Sequence, residues 1–401
     1  MDPTSGVPYW LVRDGLTATY PKLSQDRRCD VVIIGGGITG ALAAQRFAEE
    51  GFHTVLLEGR EVGYGSTGGS TALLQYELDS HLTDLAERFG DAAARRCYQL
   101  CAEAVEGIGR LAAALGAEAD YRPRSSVYLA SHRRDVRALE REWRARRQLG
   151  LDVDLLSPSD LRSRFPFERP AALLSRLAGE VDPLRLSHAL LAAGLRDGLE
   201  IYDRTGVARY QSDRKGVLLE TADGWRVRAR KAVFATGCNI PPFVPRGAVR
   251  LASTFVIATS PLATFEGWGE DRCLLWETAR PYFYARTTSD GRAVVGGADL
   301  PFKGSRKLER VREKQTGLVA KQFARLFPDI PFDVDWSWGG AYAVTGDGLP
   351  YIGVAHDFPN GYVALGHGAN GVVFGHVAAR LLVDLFAGRA NPDAELFRIG
   401  R

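Results

Sequence analysis

The run Gly35-Gly36-Gly37-Ile38-Thr39-Gly40 has the spacing G-x-G-x-x-G. In such a loop the first glycine makes the turn, the second lets the backbone approach a pyrophosphate, and the third lets a helix close onto a sheet. Here it follows the β-branched run Asp30 to Ile34 and opens a helix predicted over Thr39 to Glu50, whose bare N–H groups and positive dipole end suit phosphates. Gly51 gives that helix a left-handed stop, and His53 to Leu57 returns as a second strand. Glu58 stands at its end, where a carboxylate can accept from both ribose hydroxyls and repels a 2′-phosphate. The unit predicts FAD or NAD in preference to NADP, with Gly35, Gly37, Ile38, Thr39, Gly40, Glu58, Gly59 and Arg60 as cofactor-binding residues.

A flavin extended across a sheet also needs contacts far down the chain. Two loops offer them: Ala235-Thr236-Gly237 after a late buried strand, and Gly366-His367-Gly368-Ala369-Asn370-Gly371 opening the last helix. The second can aim backbone N–H groups at the ring edge where negative charge gathers on reduction. Thr236, Gly237 and residues 366–371 are therefore assigned to FAD.

Other residues near these loops have two readings each. His367 tunes the ring or meets a substrate, or it is a hydrogen-bonded loop residue. Tyr282 and Tyr284, two apart, face one side of a strand and either wall a substrate pocket or fill a core. Arg286 shares that face and pairs either with a substrate acid or within the structure. Glu77 follows Gln75 in the apolar stretch Leu73 to Leu78, where a buried carboxylate can recognise a cationic amine. Its alternative is helix-start packing, with Asp79 or Ser80 as the cap. The seven histidines fall in no HExxH or Ser-His-Asp pattern, so neither a metal nor a nucleophile is expected.

These residues need a scaffold. Helical patterns run to about residue 117, from Arg133 to Leu149 and from Leu184 to Leu195, while Glu200 to Tyr202, Val217 to Thr221, Trp225 to Arg228 and Lys231 to Ala235 read as strands. Leu251 to Gly297 alternates apolar and polar residues, as antiparallel strands of a separate layer do, and Arg306 to Phe327 is a helix beside it. Beyond Trp336 come a strand, a loop, a strand over Tyr362 to Leu365, the glycine loop and a final helix, Val372 to Phe386. The fold class is α/β: a Rossmann-like domain with a parallel sheet over 28–90, 160–245 and 335–390, plus an α+β substrate domain with a mostly antiparallel sheet over 91–159 and 246–334. Residues 1–27 form an N-terminal extension.

Composition narrows the partners. The chain has 401 residues, 45% of them apolar, and a net charge of +3. Arginines such as those of 133–149 alternate with Asp135, Glu140 and Glu142, which makes a solvated face and no coherent field for nucleic acid or an anionic membrane. Five cysteines form neither a CxxC pair nor an even-numbered secreted framework, so a reducing cytoplasm is expected. Residues 1–29 lack a signal pattern, and His376, Arg380 and Asp384 argue against a span in the last helix. A small-molecule substrate is left.

With these motifs in this order, the chain resembles the D-amino-acid oxidase superfamily, in the branch of glycine oxidase, sarcosine oxidase and γ-glutamylputrescine oxidase. The likeness covers residues 28–390. Besides the loops above it includes Gly65 to Thr71, the pair Tyr284-Ala285-Arg286 and Gly296-Gly297, and Asp347 to Gly353. It implies that Val207 lies near the adenine and that Ser66, Thr67 and Thr71 run beside the ribityl chain and ring. Gly340 stands where members with covalent FAD carry a cysteine, which implies non-covalent FAD. Tyr342 stands near an arginine that grips substrate carboxylates in amino-acid oxidases; with Tyr282, Tyr284, His367 and Glu77 it is a candidate catalytic residue. Val294 matches a lysine that assists reaction with oxygen in some oxidases, which implies that oxygen need not be the natural acceptor and sets a quinone- or dye-type acceptor beside it. The expected function is FAD-dependent oxidation of an amine or N-substituted amino acid at a CH-NH or CH-NH2 group, by hydride transfer to flavin N5. An imine results and hydrolyses. The alternatives are a flavoprotein holding FAD in a structural or regulatory role, and a flavin monooxygenase, against which the loop Gly366 to Gly371 argues.

Overall fold

The computed structural model describes residues 1–401, the side chain of Ala117 excepted. In strand Arg27–Ile34, Val31, Val32 and Ile33 have no exposed surface, the continuous apolarity a strand needs when both faces of its sheet are covered. It lies inside an eight-stranded sheet in which Gly361–Leu365, Arg226–Phe234, Arg27–Ile34, Thr54–Leu57 and Glu200–Tyr202 run side by side and parallel. Tyr351–Val354 adds an antiparallel edge, and Gly216–Thr221, paired with Val207–Asp213, folds back on the first half of Arg226–Phe234. Successive side chains part to opposite faces. Val31 and Ile33 join the core under helices Ile38–Glu49, Pro183–Arg196 and Gly371–Phe386, whereas Val32 joins Phe234 and Phe358 on the other side.

Two strands expected from sequence, Trp225 to Arg228 and Lys231 to Ala235, are one nine-residue strand, Arg226–Phe234. Exposed Arg226 and Arg230 break the apolar pattern, but the ladder with Arg27–Ile34 continues past them.

A second sheet has ten strands. Its order is Thr4–Gly6, Val334–Thr345, Val249–Thr259, Ala293–Pro301, Tyr284–Thr287, Leu274–Glu277, Arg122–Leu129, Ala172–Glu180 and Leu73–Gln75, with Val153–Leu156 also on Ala172–Glu180. Neighbours are antiparallel except Leu274–Glu277 with Arg122–Leu129. Helix Ser305–Leu326 lays Val319, Phe323 and Leu326 on Ile257, Ala285 and Val295. The architecture is the α/β class expected, a parallel sheet beside a mostly antiparallel one.

Sheet membership cuts across the residue ranges drawn from sequence, since 4–6, 73–75, 172–180 and 334–345 all lie in the ten-stranded sheet. The twelve-residue strand Val334–Thr345 shows why: it pairs with Val249–Thr259 along its length and then hands its far end to the glycine loop through a bridge between Val344 and His367. No helix among the described residues is long and apolar enough to cross a membrane.

Candidate active site

The first glycine loop is built on close backbone approach. Gly35 has φ +110°, and a Cβ there would strike the Ala235 carbonyl. A Cβ on Gly40 would overlap the Gly35 carbonyl, so helix and strand can meet this closely only through glycine. Glu58 pins the loop: Oε2 accepts the Gly36 N–H at 2.7 Å and Oε1 the Arg60 N–H at 2.8 Å. Each carboxylate oxygen retains further acceptor capacity. Thr67 Oγ1 accepts the Ile38 N–H at 2.9 Å, so the wall loop is fastened to the helix start.

That wall loop, Ser66 to Thr71, is held from several directions. Ser66 Oγ donates to the Ala341 carbonyl at 3.0 Å, Trp338 Nε1 to Gly69 at 2.9 Å and Trp10 Nε1 to Ser70 at 2.7 Å. Arg286 donates through one nitrogen to the carbonyls of Thr71, Ala72 and Val181 and through another to Thr287, with Glu180 3.6 Å away. Its guanidinium is consumed within the structure, the structural alternative of its two readings.

The second glycine loop closes the site from the far end of the chain. Gly366 and Gly368 take φ +75° and +60°, and the Gly368 N–H donates to Ala343 at 2.9 Å. Asn370 Nδ2 donates to the carbonyls of Gln75 and Glu77 at 3.0 and 2.8 Å. His367 Nδ1 lies 3.4 Å from Thr39 Oγ1, and its buried Nε2 has no partner. Burial pushes the imidazole down to about 4, so it is neutral at pH 7.

Beyond that loop the wall turns aromatic and acidic, with Trp276, Tyr282, Tyr284, Tyr342, Thr254, Gln75, Glu77, Asp79 and Asp299. Tyr284 lies across Gly296, whose hydrogen leaves room that a methyl would fill. Its hydroxyl sits 2.9 Å from Thr254 Oγ1. Between Ser253 and Phe255 the ladder with Ala293–Pro301 shifts register, and Ala298 takes φ +54°. This bulge re-aims the next side chain, and Asp299 reaches Tyr342, whose hydroxyl donates to Oδ2 at 2.8 Å.

Asp79 and Ser80 do not cap the following helix, Leu82–Phe89. Glu142 does, accepting the N–H groups of Leu82 and Thr83 at 2.9 and 3.2 Å. Glu142 also pairs with fully buried Arg146 at 2.8 Å, and Arg146 Nη1 lies 3.7 Å from Glu77. Burial raises Glu77, and Arg146 opposes that rise.

One cavity of about 670 Å³ joins these parts, well within the size of small-molecule sites. Gly35, Gly37, Ile38, Thr39, Glu58, Gly59, Arg60, Ser66, Thr67, Thr71, Val207, Thr236, Gly237 and residues 366–371 line it, as do Glu77, Tyr282, Tyr284 and Tyr342. Gly40 does not reach it and serves helix–strand packing instead. Val294, compared above with an oxygen-assisting lysine, lies in a buried cluster with Trp10 and Trp338 away from the cavity, so it carries no argument about the acceptor. Sequence reasoning missed Met1, Pro3, Cys238, Trp276 and Asp299, which also line it. Only an isolated acid at the end of an apolar strand marked Asp299.

A family model described as DAO: FAD dependent oxidoreductase matches residues 30–385. The chain belongs to this family. Among its relatives, the γ-glutamylputrescine oxidoreductase of Escherichia coli (strain K12) is 26% identical over 97% of this chain and 90% of its own length. The glycine oxidase of Geobacillus kaustophilus (strain HTA426) is 25% identical over 89% of this chain and 93% of its own. The crystal structure of glycine oxidase from Geobacillus kaustophilus superposes with a TM-score of 0.79 at 20% identity, covering 94% of this chain and 99% of that one, and so shares its fold.

FAD is the cofactor of this DAO family member, and the residues present suit it. Gly237, Gly368 and Gly371 have nothing within 4 Å of where a Cβ would stand, so their backbone lies open to the cavity, as a ligand lying flat against it requires. Gly35 to Thr39 and Glu58 suit the nucleotide half, and residues 366–371 suit the ring.

Proposed function

We propose that this family member oxidises an amine or N-substituted amino acid at its CH-NH or CH-NH2 group and releases an imine, which water hydrolyses to a carbonyl compound and an amine or ammonia. FAD, when bound, supplies the hydride acceptor. The carrying observation is the composition of the cavity's far end: Trp276, Tyr282, Tyr284 and Tyr342 beside the glycine loop, with the carboxylates of Glu77, Asp79 and Asp299 among them. Such a wall excludes water and orients a C–H bond, the tasks that hydride transfer leaves to a protein. Two of the relatives are a γ-glutamylputrescine oxidoreductase and a glycine oxidase, which supports a nitrogen-bearing substrate.

Neutral His367 adds no positive charge beside the substrate nitrogen, which must lose its own proton before hydride departs. We read the cofactor as non-covalent. Gly340 offers no sulfur, and burial raises the Cys238 thiol, which keeps it protonated and a weak nucleophile. The experiment is anaerobic mixing of the FAD-loaded protein with secondary amines, polyamines and amino acids, followed at the flavin absorbance. Bleaching by one of these supports the reading. Bleaching by NADPH alone, or by nothing, overturns it. Air or a quinone added to the reduced protein then identifies the acceptor.

A further inference from the structure

Three carboxylates line the substrate end, and their surroundings differ. Glu77, 2% exposed, lies 3.7 Å from Arg146, though neither of its oxygens has a hydrogen-bond partner. Asp79 feels the charge of Arg280, whose guanidinium donates to the carbonyls of Asp79, Glu277 and Ala279. Asp299 has no ion-pair partner of its own. Tyr342 occupies its Oδ2, and Oδ1 is buried with no partner.

No lysine or arginine lines this end. Arg60, the single one lining the cavity, belongs with Glu58 at the nucleotide end, and Arg286 is spent on backbone carbonyls. A substrate carboxylate on the reacting carbon would enter without its water and meet Asp299 in place of a cation, which is costly. A cation gains what the carboxylate loses.

Resting on the function proposed above, we infer that Asp299 receives the reacting ammonium group of a primary or secondary amine that carries no carboxylate on the reacting carbon, and takes its proton at Oδ1. The N–H bond breaks as the O–H bond forms, and the electron pair stays on nitrogen, giving the neutral amine that oxidation requires. Tyr342 positions this base by holding Oδ2, and the bulge at Ala298 turns it inward.

The test uses the FAD-loaded protein and its Asp299→Asn variant, which keeps the size of the side chain and an acceptor for Tyr342. Butylamine and N-acetyl-1,4-diaminobutane are expected to bleach the flavin anaerobically, while glycine, sarcosine and D-alanine leave it oxidised. Asp299→Asn should slow reduction about 100-fold at pH 7, the scale of a lost general base, and the deficit should shrink as pH rises and free amine becomes abundant. Calorimetric titration with butylguanidinium, a cation with no oxidisable amine, should show binding at least about tenfold weaker in the variant, matching a lost charge-assisted bond. Reduction by the amino acids as fast as by the amines overturns the assignment and leaves amine oxidation standing. If no compound bleaches the flavin, the proposed function fails, and equal butylguanidinium affinity in both proteins then overturns the assignment independently.

Discussion

The indole N–H of Trp10 reaches the carbonyl of Ser70 at 2.7 Å, tying the N-terminal segment to the loop that walls the cavity. Trp10 has no exposed surface, and Met1 and Pro3, ahead of it, line the cavity directly. Trp10→Phe keeps a ring in the cluster but leaves a half-buried carbonyl without its donor, at a cost of about 1 kcal/mol. The expected outcome is a lower melting temperature together with weaker FAD retention on gel filtration. Loss of stability with FAD retention unchanged would show that the segment does not support the site.

Gly296→Ala puts a methyl into the ring of Tyr284. That ring is buried in the cavity wall, so it must swing away and give up its contact with Thr254. The loop Gly35 to Gly40 is untouched. FAD content should therefore match the wild type while anaerobic reduction by a good substrate slows by an order of magnitude or more, as displacement of a positioning wall predicts. Unchanged reduction would remove Tyr284 from the site.

What sequence made legible follows physical range. The glycine loops were readable because turn, close approach and helix start are decided within a few residues, as Gly35 and Gly40 show. The cap of helix Leu82–Phe89 was not, since Glu142 comes from 60 residues away along the chain and only packing brings it there. Asp299 escaped for a similar reason. A strand period assigns its face by alternation, and the bulge at Ala298 resets that alternation through a register shift that no local pattern records. Tyr282 lies just outside the strand Tyr284–Thr287, yet the two tyrosine rings still meet at 5.7 Å, so same-side placement held on weaker grounds than period alone.

Arg286 separates a structural from a substrate role. Four backbone carbonyls lose their donor if its guanidinium is removed, while Glu180 keeps Arg124 at 2.6 Å. Leaving a buried carbonyl without its donor costs about 1–3 kcal/mol. Arg286→Met should therefore lower the melting temperature sharply or prevent soluble expression, and Arg286→Lys should rescue little, because one ammonium cannot reach all the carbonyls that the guanidinium fork spans. A variant that stays as stable as the wild type but needs far more substrate would reverse the assignment.

Acid precipitation tests the attachment of the flavin. With Gly340 bare and Cys238 kept as a thiol, the precipitate should be colourless and the FAD should stay in the supernatant. The mass of the denatured chain should equal that of the polypeptide alone. A yellow pellet that turns colourless in Cys238→Ser would place a thioether there instead.

Two half-buried histidines contribute to the acid limb of stability. Burial pushes His367 and His376 down to about 4, and three arginines add to the effect at His376, whereas an unfolded histidine titrates near 6.5. Between about pH 4 and 6.5 the unfolded chain binds more protons, so stability from these groups is complete above 6.5 and is lost as pH falls through 4. Asp182 acts in the opposite sense. Burial and neighbouring Asp14 push it up to about 8, so the folded chain holds that proton longer and stability from this group declines as pH rises from 4 to 8. The two effects are separable by substitution. His376, packed 2.6 Å from where a Cβ on Gly107 would stand, tolerates no larger ring, but His376→Asn removes its charge without adding bulk. The melting temperature of that variant should change less than the wild type's between pH 6.5 and 4, and equally between pH 7 and 9. A parallel pair of curves across the acid range would mean that His376 is solvated and titrates as a free imidazole does.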